Sequence, residues 1–400
     1  MDHARYTYRL RMSKHAEALL VAEWGRCRWV WNECVAKSRE LHLANKAETA
    51  DLDKRTCGPA DLDKMLTDAR RSTSWLREGS SVTQQQTIRD FGRSRAKALK
   101  DLKAGVPVHR RSGLPKYRKK RGTRPTLNYT KRGFRLVHRQ LCLAGGASVR
   151  PVWSRELPAS PSSVRVFQDS LGHWYASFVV PAQLQPLART DRVIGVDWGV
   201  RELATTSSPS HNLPHPEHGK RASERLARYQ RQMARRKPAK GKPASKGYEQ
   251  ARRQTAKAHK QVSRQRQDVG RKWAKRLVTD FDQIAVEDFK PSFLAKSTMA
   301  RKAADAAIGA IKRELIAMAA KHGRDLRLVN PRHTTTDCAN CGARNKHALP
   351  LGQRIYTCET CGNSRPRDVN SAHVMINRAG FVPAGADRTR PGRPPDGQAA

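Results

Sequence analysis

Acidic residues are scarce in this sequence beside its basic ones. Thirty-five Asp and Glu face 79 Lys and Arg in 400 residues, a formal net charge of +44. A compact chain with that imbalance repels itself unless something anionic neutralises it. Nucleic acid fits best and an acidic membrane surface less well. Long hydrophobic runs are also lacking: none approaches the roughly 20 residues needed to span a bilayer, so a membrane partner is not expected. The opening MDHARYTYRL lacks the apolar core of a secretory leader. There is no internal repeat. Eight cysteines are present, but Cys27, Cys34, Cys57 and Cys142 are scattered without pattern. That argues against a disulfide framework and for a reducing compartment.

The length allows two or three domains. Tyr6–Met12 alternates weakly, as an edge strand would. Lys14 to about Arg39 reads as a helix whose apolar face runs through Ala18, Leu19, Val21, Ala22, Trp24, Cys27, Val30, Trp31 and Cys34. Gly58 and Pro59 break the pattern. Further helices are expected over 62–70 and 81–104, the latter opening on SVTQ, a capping-box sequence. Residues 10–105 are thus a helical region. From about 107 the texture changes to GLPKYRKKRGTRPTLNYTKRGFRLV, followed by the strand-like runs FRLVHRQLCLA, SVRVFQD and HWYASFVVP. These predict a small β-barrel, with a turn at Asp169, Ser170 and Gly172. Aromatics interleaved with charge make Lys116, Tyr117, Arg118, Lys119 and Lys120, with Arg155 further on, candidate nucleic-acid contacts, although basic loops are often only solvated. Residues 182–191 read as a linker. Ser223 to Leu277 is basic and helical, interrupted by KPAKGKPASKG, a loop sequence. One face of these helices is expected to follow a phosphate backbone. From about Val382 the chain is rich in Pro, Gly and Arg and is expected to be disordered.

Four cysteines are grouped. CANCG places Cys338 and Cys341, and CETCG places Cys358 and Cys361, with sixteen residues between the pairs. Two intervening residues let both thiolates of a pair face one ion, and the following glycines permit the tight turn behind them. Structural zinc is the expectation; a disulfide pair or an iron–sulfur centre are the alternatives. Four thiolates fill a tetrahedron and leave no open position for chemistry. His333 and His347 lie nearby but are not needed as ligands.

Three acids stand out. Asp197 ends the apolar run Val193, Ile194, Val196 in RVIGVDWGVRE, and Glu287 ends Ile284–Val286 in FDQIAVEDFKP. Asp368 lies in SRPRDVNSAHVMINRA, before a helix carrying Val369, Ala372, Met375 and Ile376. A carboxylate ending a buried strand is costly unless paired. Taken singly, Asp197 could be a turn residue and Asp368 an N-cap. Together they supply the hard oxygen ligands that a pair of magnesium ions needs, and such a pair hydrolyses phosphodiesters. Asp288, beside Glu287, would point away from them on a strand.

The order of these motifs resembles the TnpB family of transposon-associated, RNA-guided DNA endonucleases, which are related to compact type V CRISPR effectors. YTYRLRMSKHAEALL, RCRWVWNECV, GLPKYRKK, WSRELPASPSSVRVFQDSLGHWYASFVV, VIGVDWGVRELATTS, IAVEDF, TTTDCANCG, CETCG and RDVNSAHVMINRA carry the resemblance over most of residues 5–380. It implies a multidomain α+β chain: a helical recognition lobe (10–105), a β-barrel wedge domain (106–185) completed by an N-terminal strand (1–9), and an RNase H-like, RuvC-like nuclease domain. The nuclease would be split into 190–331 and 365–380 around a zinc-binding target-loading domain (332–364), with a tail over 381–400. Asp197, Glu287 and Asp368 would be the catalytic acids holding a pair of Mg2+ ions, Arg367 a supporting residue at the scissile phosphate, and Cys338, Cys341, Cys358 and Cys361 the zinc ligands.

The implied partners are a guide RNA derived from the element's flanking region and a double-stranded DNA target cut beside a short adjacent motif, with guide pairing reading the remaining sequence. A monomer or a dimer on one RNA is expected, in the nucleoid-associated cytoplasm of a bacterium or archaeon. One position departs from the family pattern: Pro366 stands where an acidic residue is usual, two before Asp368. Alternative readings are a guided DNA-binding regulator with little cleavage, an unguided RuvC-like nuclease, a compact CRISPR effector, and a transposase.

Overall fold

The computed structural model describes residues 3–47, 57–120, 122–239, 241–290, 298–347, 349–350 and 352–382. The expected tail over 381–400 lies outside these residues from 383 onward. The chain is multidomain α+β and divides into two compact units, residues 2–182 and 183–400.

Among the described residues, the first unit combines four α-helices with seven strands. Its elements are β1 (His3–Arg11), α1 (Lys14–Ala47), α2 (Pro59–Ser72), α3 (Ser74–Arg77), α4 (Ser81–Lys103), β2 (Thr126–Thr130), β3 (Phe134–Val137), β4 (Gln140–Leu143), β5 (Ser148–Pro151), β6 (Ser163–Gln168) and β7 (Trp174–Pro181). The strands form one antiparallel, nearly closed barrel-like sheet in the order β2-β6-β7-β1-β5-β4-β3. Alternation fills its interior: Tyr8, Leu127, Tyr129, Leu141, Val164, Val166, Ala176 and Phe178 are all buried. The first turns of α1 close it with Ala16, Leu20, Trp24 and Cys27.

Several sequence expectations are corrected here. The Tyr6–Met12 strand is not at an edge; β1 lies mid-sheet, pairing with β7 over His3–Arg9 and with β5 at Leu10 and Arg11. Exposed charge on one face hid the burial of Tyr8 and Leu10 on the other. FRLVHRQLCLA is a hairpin, not one strand. His138 and Arg139 turn it with φ of 46° and 63°, the double positive φ usually supplied by Asn-Gly. Neither residue type signals such a turn. The helix expected over 62–70 begins earlier, with Pro59 in its first turn and the Asp61 carboxylate accepting the Gly58 N–H at 2.8 Å. The SVTQ capping box does not form. Ser80 precedes α4, and Thr83 donates to buried Glu23, which also accepts the Ser80 N–H.

The second unit is layered. It contains β8 (Val193–Trp198), β9 (Glu202–Thr206), β10 (Leu213–Pro214), α5 (His218–Arg235), α6 (Lys246–Asp280), β11 (Gln283–Glu287), α7 (Ala300–Ala306), α8 (Ile308–His322), β12 (Asp325–Val329), β13 (Ile355–Thr357), β14 (Ser364–Pro366) and α9 (Arg367–Arg378). Five strands form a mixed sheet in the order β10-β9-β8-β11-β12. β8, β11 and β12 run parallel, and β9 runs antiparallel to both of its neighbours, β8 and β10. One face packs on α6 and α8 through Ile194, Val196, Ile284, Val286, Trp273, Leu277, Ile311 and Leu315. The other face packs on α9 through Ala285, Val329, Met375, Ile376 and Ala379.

Gly195 sets the approach of α9 to β8. A Cβ built there would lie 1.8 Å from the Ala372 carbonyl oxygen, a backbone atom with nowhere to go. Gly195→Ala should therefore cost about 3 kcal/mol by overpacking. The expected readout is a clear fall in apparent melting temperature, or loss of soluble protein; an unchanged melting curve would mean that α9 does not pack on β8 this closely.

Candidate active site and cysteine centre

Strand register brings the first two acids together. In the parallel β8–β11 pair, Val193 opposes Gln283 and Val196 opposes Val286. The next step along both strands sets Asp197 beside Glu287. Period-2 alternation turns both toward the face on which Gly195 meets α9, while Val196 and Val286 enter the opposite core. Asp368 is the second residue of α9, and the N-cap position is taken by Pro366, which offers no side-chain cap. Asp368 is therefore not an N-cap; it faces the same acids from the helix's first turn.

The carboxylates are crowded. Burial pushes the Asp197 carboxyl well above its usual range, and the negative charges of Glu287 and then Asp368 push it further; Arg367 only partly opposes them. Glu287 is 7% exposed and is also raised by burial. The Trp198 N–H donating to its Oε2 at 3.1 Å and a hydrogen bond from Asp197 hold that rise back. Trp198 also fixes the Glu287 backbone, its indole N–H donating to the Glu287 carbonyl at 3.2 Å. Asp288 turns away to pair with Lys312, which lowers its pKa.

Arg367 packs within this cluster. Its guanidinium is 3.3 Å from Asp368 Oδ1 and also donates to the Pro350 carbonyl. Only 11% of its side chain is exposed, so it is a neighbour of Asp368 before it is anything else. Sequence reasoning did not single out Trp198 or Lys312. Trp198 adjoins Asp197, but its two hydrogen bonds depend on strand pairing. Lys312 is one of 79 cations, and only the packing of α8 selects it.

The cysteines form two matching turns. In the first, the Cys338 N–H donates to the Ala343 carbonyl and the Gly342 N–H to the Cys338 carbonyl; Cys358, Asn363 and Gly362 repeat this in the second. Gly342 and Gly362 have φ of 76° and 68°, where a side chain would be strained. The four sulfurs lie within 4.8 Å of one another. Cys338–Cys361 and Cys341–Cys358 are separated by 3.7 and 3.6 Å. A tetrahedron with metal–sulfur bonds of about 2.3 Å has edges of roughly 3.8 Å, so this set could hold a zinc ion. Against burial, which raises it, the N–H groups of Cys361 and Thr360 bring the Cys358 thiol down to about 6. Cys341 goes up to about 12: the Ala343 N–H favours its thiolate, but desolvation and the three neighbouring sulfurs win. His333 and His347 are not in the set.

The candidate nucleic-acid contacts divide. Lys116, Tyr117, Lys119 and Lys120 are exposed, whereas the Arg118 guanidinium lies 3.5 Å from the Trp31 ring centroid and 5.5 Å from that of Trp24. Asn32 bonds both the N–H and the carbonyl of Arg118, and the Trp31 indole donates to the Lys116 carbonyl. Arg118 thus docks this strap on α1 and leaves the lysines outward. Tyr117 stacks with Arg39, and exposed Arg155 lies over Tyr6 and Tyr8. In the second unit, α5 exposes Arg221, Arg225, Arg228, Arg231 and Arg235, and α6 exposes Arg253, Lys257, Arg264, Arg271 and Lys275.

Residues 169–298 match the model of the OrfB_IS605 family, described as "Probable transposase", and residues 309–375 match the TNB domain of Cas12f1-like proteins. A Streptomyces pristinaespiralis protein named "Putative RNA-guided DNA endonuclease" is 32% identical over 80% of this chain and 77% of its own. InsQ of Escherichia coli K12, named in the same way, is 25% identical over 97% and 95% of the two chains. Among solved structures, a Cas12f1 complex with guide RNA and target DNA matches with a TM-score of 0.54 at 12% identity, covering 94% of this chain and 99% of that one. This last likeness concerns fold alone.

The crowded acids generate a stability prediction. Because the Asp197 pKa is raised on folding, the folded chain holds a proton that the unfolded chain releases. This site's contribution to stability is complete at low pH. It is lost as pH rises from about 4, the unfolded carboxylate value, through the raised folded value. In zinc-replete buffer without other divalent ions, Asp197→Asn should raise the melting temperature at pH 7 and flatten that pH dependence. A destabilised Asp197→Asn protein would contradict the crowding. For the sulfurs, elemental analysis should find one zinc per chain, and Cys358→Ser should lose it together with much of the soluble protein.

Proposed function

The chain belongs to the TnpB family, and from that premise we propose that it is an RNA-guided, metal-dependent DNA endonuclease encoded by a transposable element, with Asp197, Glu287 and Asp368 as its catalytic acids. The observation that carries this reading is the convergence of three carboxylates from separate segments, two of them raised in pKa, on one face of a chain whose charge is +44. Hard, mutually repelling oxygens of this kind suit Mg2+, which when bound lowers the pKa of water and stabilises the leaving oxygen of a phosphodiester. Asp197, between the other two, would be the shared ligand, with Glu287 and Asp368 completing the site. Glu287 is held rigid by Trp198 and so would fix the site's position. Arg367 neutralises Asp368 in the metal-free chain and would be released toward the scissile phosphate once a cation replaces it.

The strand order β10-β9-β8-β11-β12 supports reading 190–331 and 365–380 as one RuvC-like nuclease domain of the RNase H-like fold, with 332–364 as an inserted zinc-binding, target-loading domain. Residues 10–105 would be the recognition lobe, and 106–185 with 1–9 the wedge domain. Lys116, Lys119 and Lys120 remain contacts for the guide RNA, and Tyr117 a stacking surface. Arg118 would act by holding that strap in place. The guide RNA would come from the element's flanking sequence and pair with one strand of double-stranded DNA. Pro366 pairs with Ile355 at the end of β14 and brings no fourth carboxylate. A guided regulator with little cleavage is the second reading that this substitution favours.

Purification with native flanking DNA, followed by sequencing of the bound RNA at moderately high salt, tests guidance. One discrete RNA ending in flanking sequence is expected; a smear of cellular RNA would favour an unguided nuclease. With that RNA, Asp197→Ala should lower magnesium-dependent DNA cleavage by at least a thousandfold while RNA binding stays within twofold. Cleavage persisting in the mutant would remove Asp197 from the mechanism.

A further inference from the structure

We propose that Asn370 is a positioning residue that ties the cysteine quartet to the Asp368 carboxylate, so that an ion held by the four sulfurs strengthens divalent-cation binding by the acids. The inference rests on the catalytic reading of those acids given above.

Asn370 is two residues beyond Asp368 on α9 and is 0% exposed. Asparagine is a poor choice inside a helix, and a buried amide is costly unless both of its ends are bonded. Here both are bonded, and to the same short segment. Its Oδ1 accepts the Ala339 N–H at 3.1 Å, and its Nδ2 donates to the Asp337 carbonyl at 2.8 Å. These two backbone groups bracket Cys338. The amide therefore grips the backbone of a sulfur ligand from both sides, as a neighbouring strand would.

The grip continues along the helix. Ser371 donates to the Thr334 carbonyl, and Asn377 Nδ2 donates to the Ala339 carbonyl at 2.7 Å. Arg378 donates to the carbonyls of Asn330 and Arg332 and pairs with Asp337. At the helix start, the Arg367 N–H donates to the Arg354 carbonyl at 2.8 Å, on the approach to the second cysteine pair. The opposite face of α9 lies on the sheet at Ala372, Met375 and Ile376. The helix is thus held between a packed sheet and a loop whose shape four sulfurs define.

The first turn of α9 is the part most exposed to loss of that loop. It has no side-chain cap, and it carries Asp368. With the sulfurs bridged by an ion, the segment around Cys338 is fixed and Asn370 holds the turn against it. With the sulfurs unbridged, the segment loosens and Asp368 moves away from Asp197 and Glu287. Coupling of this kind is reciprocal: each metal site strengthens the other by the same factor.

The test uses the full chain with its bound RNA and Mn2+ as the probe of the acid site, read by paramagnetic resonance and calorimetry, with zinc measured separately. Asn370→Ala should keep its zinc yet bind Mn2+ about tenfold more weakly. Its cleavage rate should fall at limiting metal and recover at high metal, with KM for DNA unchanged. Asn377→Ala is an exposed change that leaves the core intact and should show a two- to threefold loss. It keeps the test open should Asn370→Ala fold poorly. Zinc-stripped wild type should match zinc-stripped Asn370→Ala, since both lack the same link. Wild-type Mn2+ affinity in Asn377→Ala and in the zinc-stripped protein would overturn the coupling. Mn2+ binding that Asp197→Asn leaves unchanged would instead remove the acid site, and this inference with it.

Discussion

Repulsion among Asp197, Glu287 and Asp368 is the constraint around which the second unit is arranged. Three carboxylates can be held near one another only by a scaffold that gains more elsewhere than they lose. The gain comes from the two apolar faces of the five-stranded sheet, packed on α6 and α8 on one side and on α9 on the other. Each such burial is worth about 1.5–3 kcal/mol for a large aliphatic side chain, enough to outweigh a few units of pKa displacement. Gly195 and Trp198 then make the arrangement specific. The glycine lets the helix backbone touch the strand, and the tryptophan bonds one acid at two points.

That arrangement also explains why so basic a chain keeps this one acidic pocket. A surface of +44 draws in polyanions without discrimination and at long range, but it cannot break a phosphodiester. Under the proposed mechanism, hydrolysis would use a site where cations are concentrated against the prevailing sign of charge. Few acids are available, and many of the others are consumed in ion pairs with structural roles. Asp305 takes Arg266 and the N–H groups of Gly219 and Lys220, while Asp282 takes Arg324 and the N–H groups of Thr190 and Asp191. Both have lowered pKa values, the opposite of Asp197. Asp197 and Glu287 are raised instead, because burial and neighbouring negative charge oppose their ionisation and no cation of the chain fully offsets that.

Much of this was legible in the sequence, and the reason is local. Asp197 and Glu287 each follow an unbroken apolar run, and CxxCG repeated twice needs no tertiary information to be recognised. The misreadings arose where the deciding partner is distant. β1 is central because β5 and β7 reach it from more than 130 residues away. Gln84 leaves its expected place in the capping box because it accepts from Arg70 and donates to the Leu76 carbonyl. The β3–β4 turn uses His and Arg at positive φ, where sequence preference points to neither. Arg118 was grouped with its exposed neighbours because nothing in KYRKK says which cation will stack on Trp31.

The sulfur quartet and the three acids also differ in what they ask of the fold. The sulfur centre is closed: its four sulfurs are spaced for one tetrahedral ion, and its turns bond within themselves except around Cys338, where Asn370 and Asn377 bond the backbone of Asp337 and Ala339. The acid centre is open, drawn from β8, β11 and α9, and no single element can assemble it. An open site built from three segments is only as good as the least anchored of them. β8 and β11 are interior strands, each bonded on both sides. α9 has only packing on one face and side-chain hydrogen bonds on the other. The precision of Asp368 is therefore set by whatever stiffens that second face, and the residues there are Asn370, Ser371, Asn377 and Arg378, all directed at the loop of Cys338.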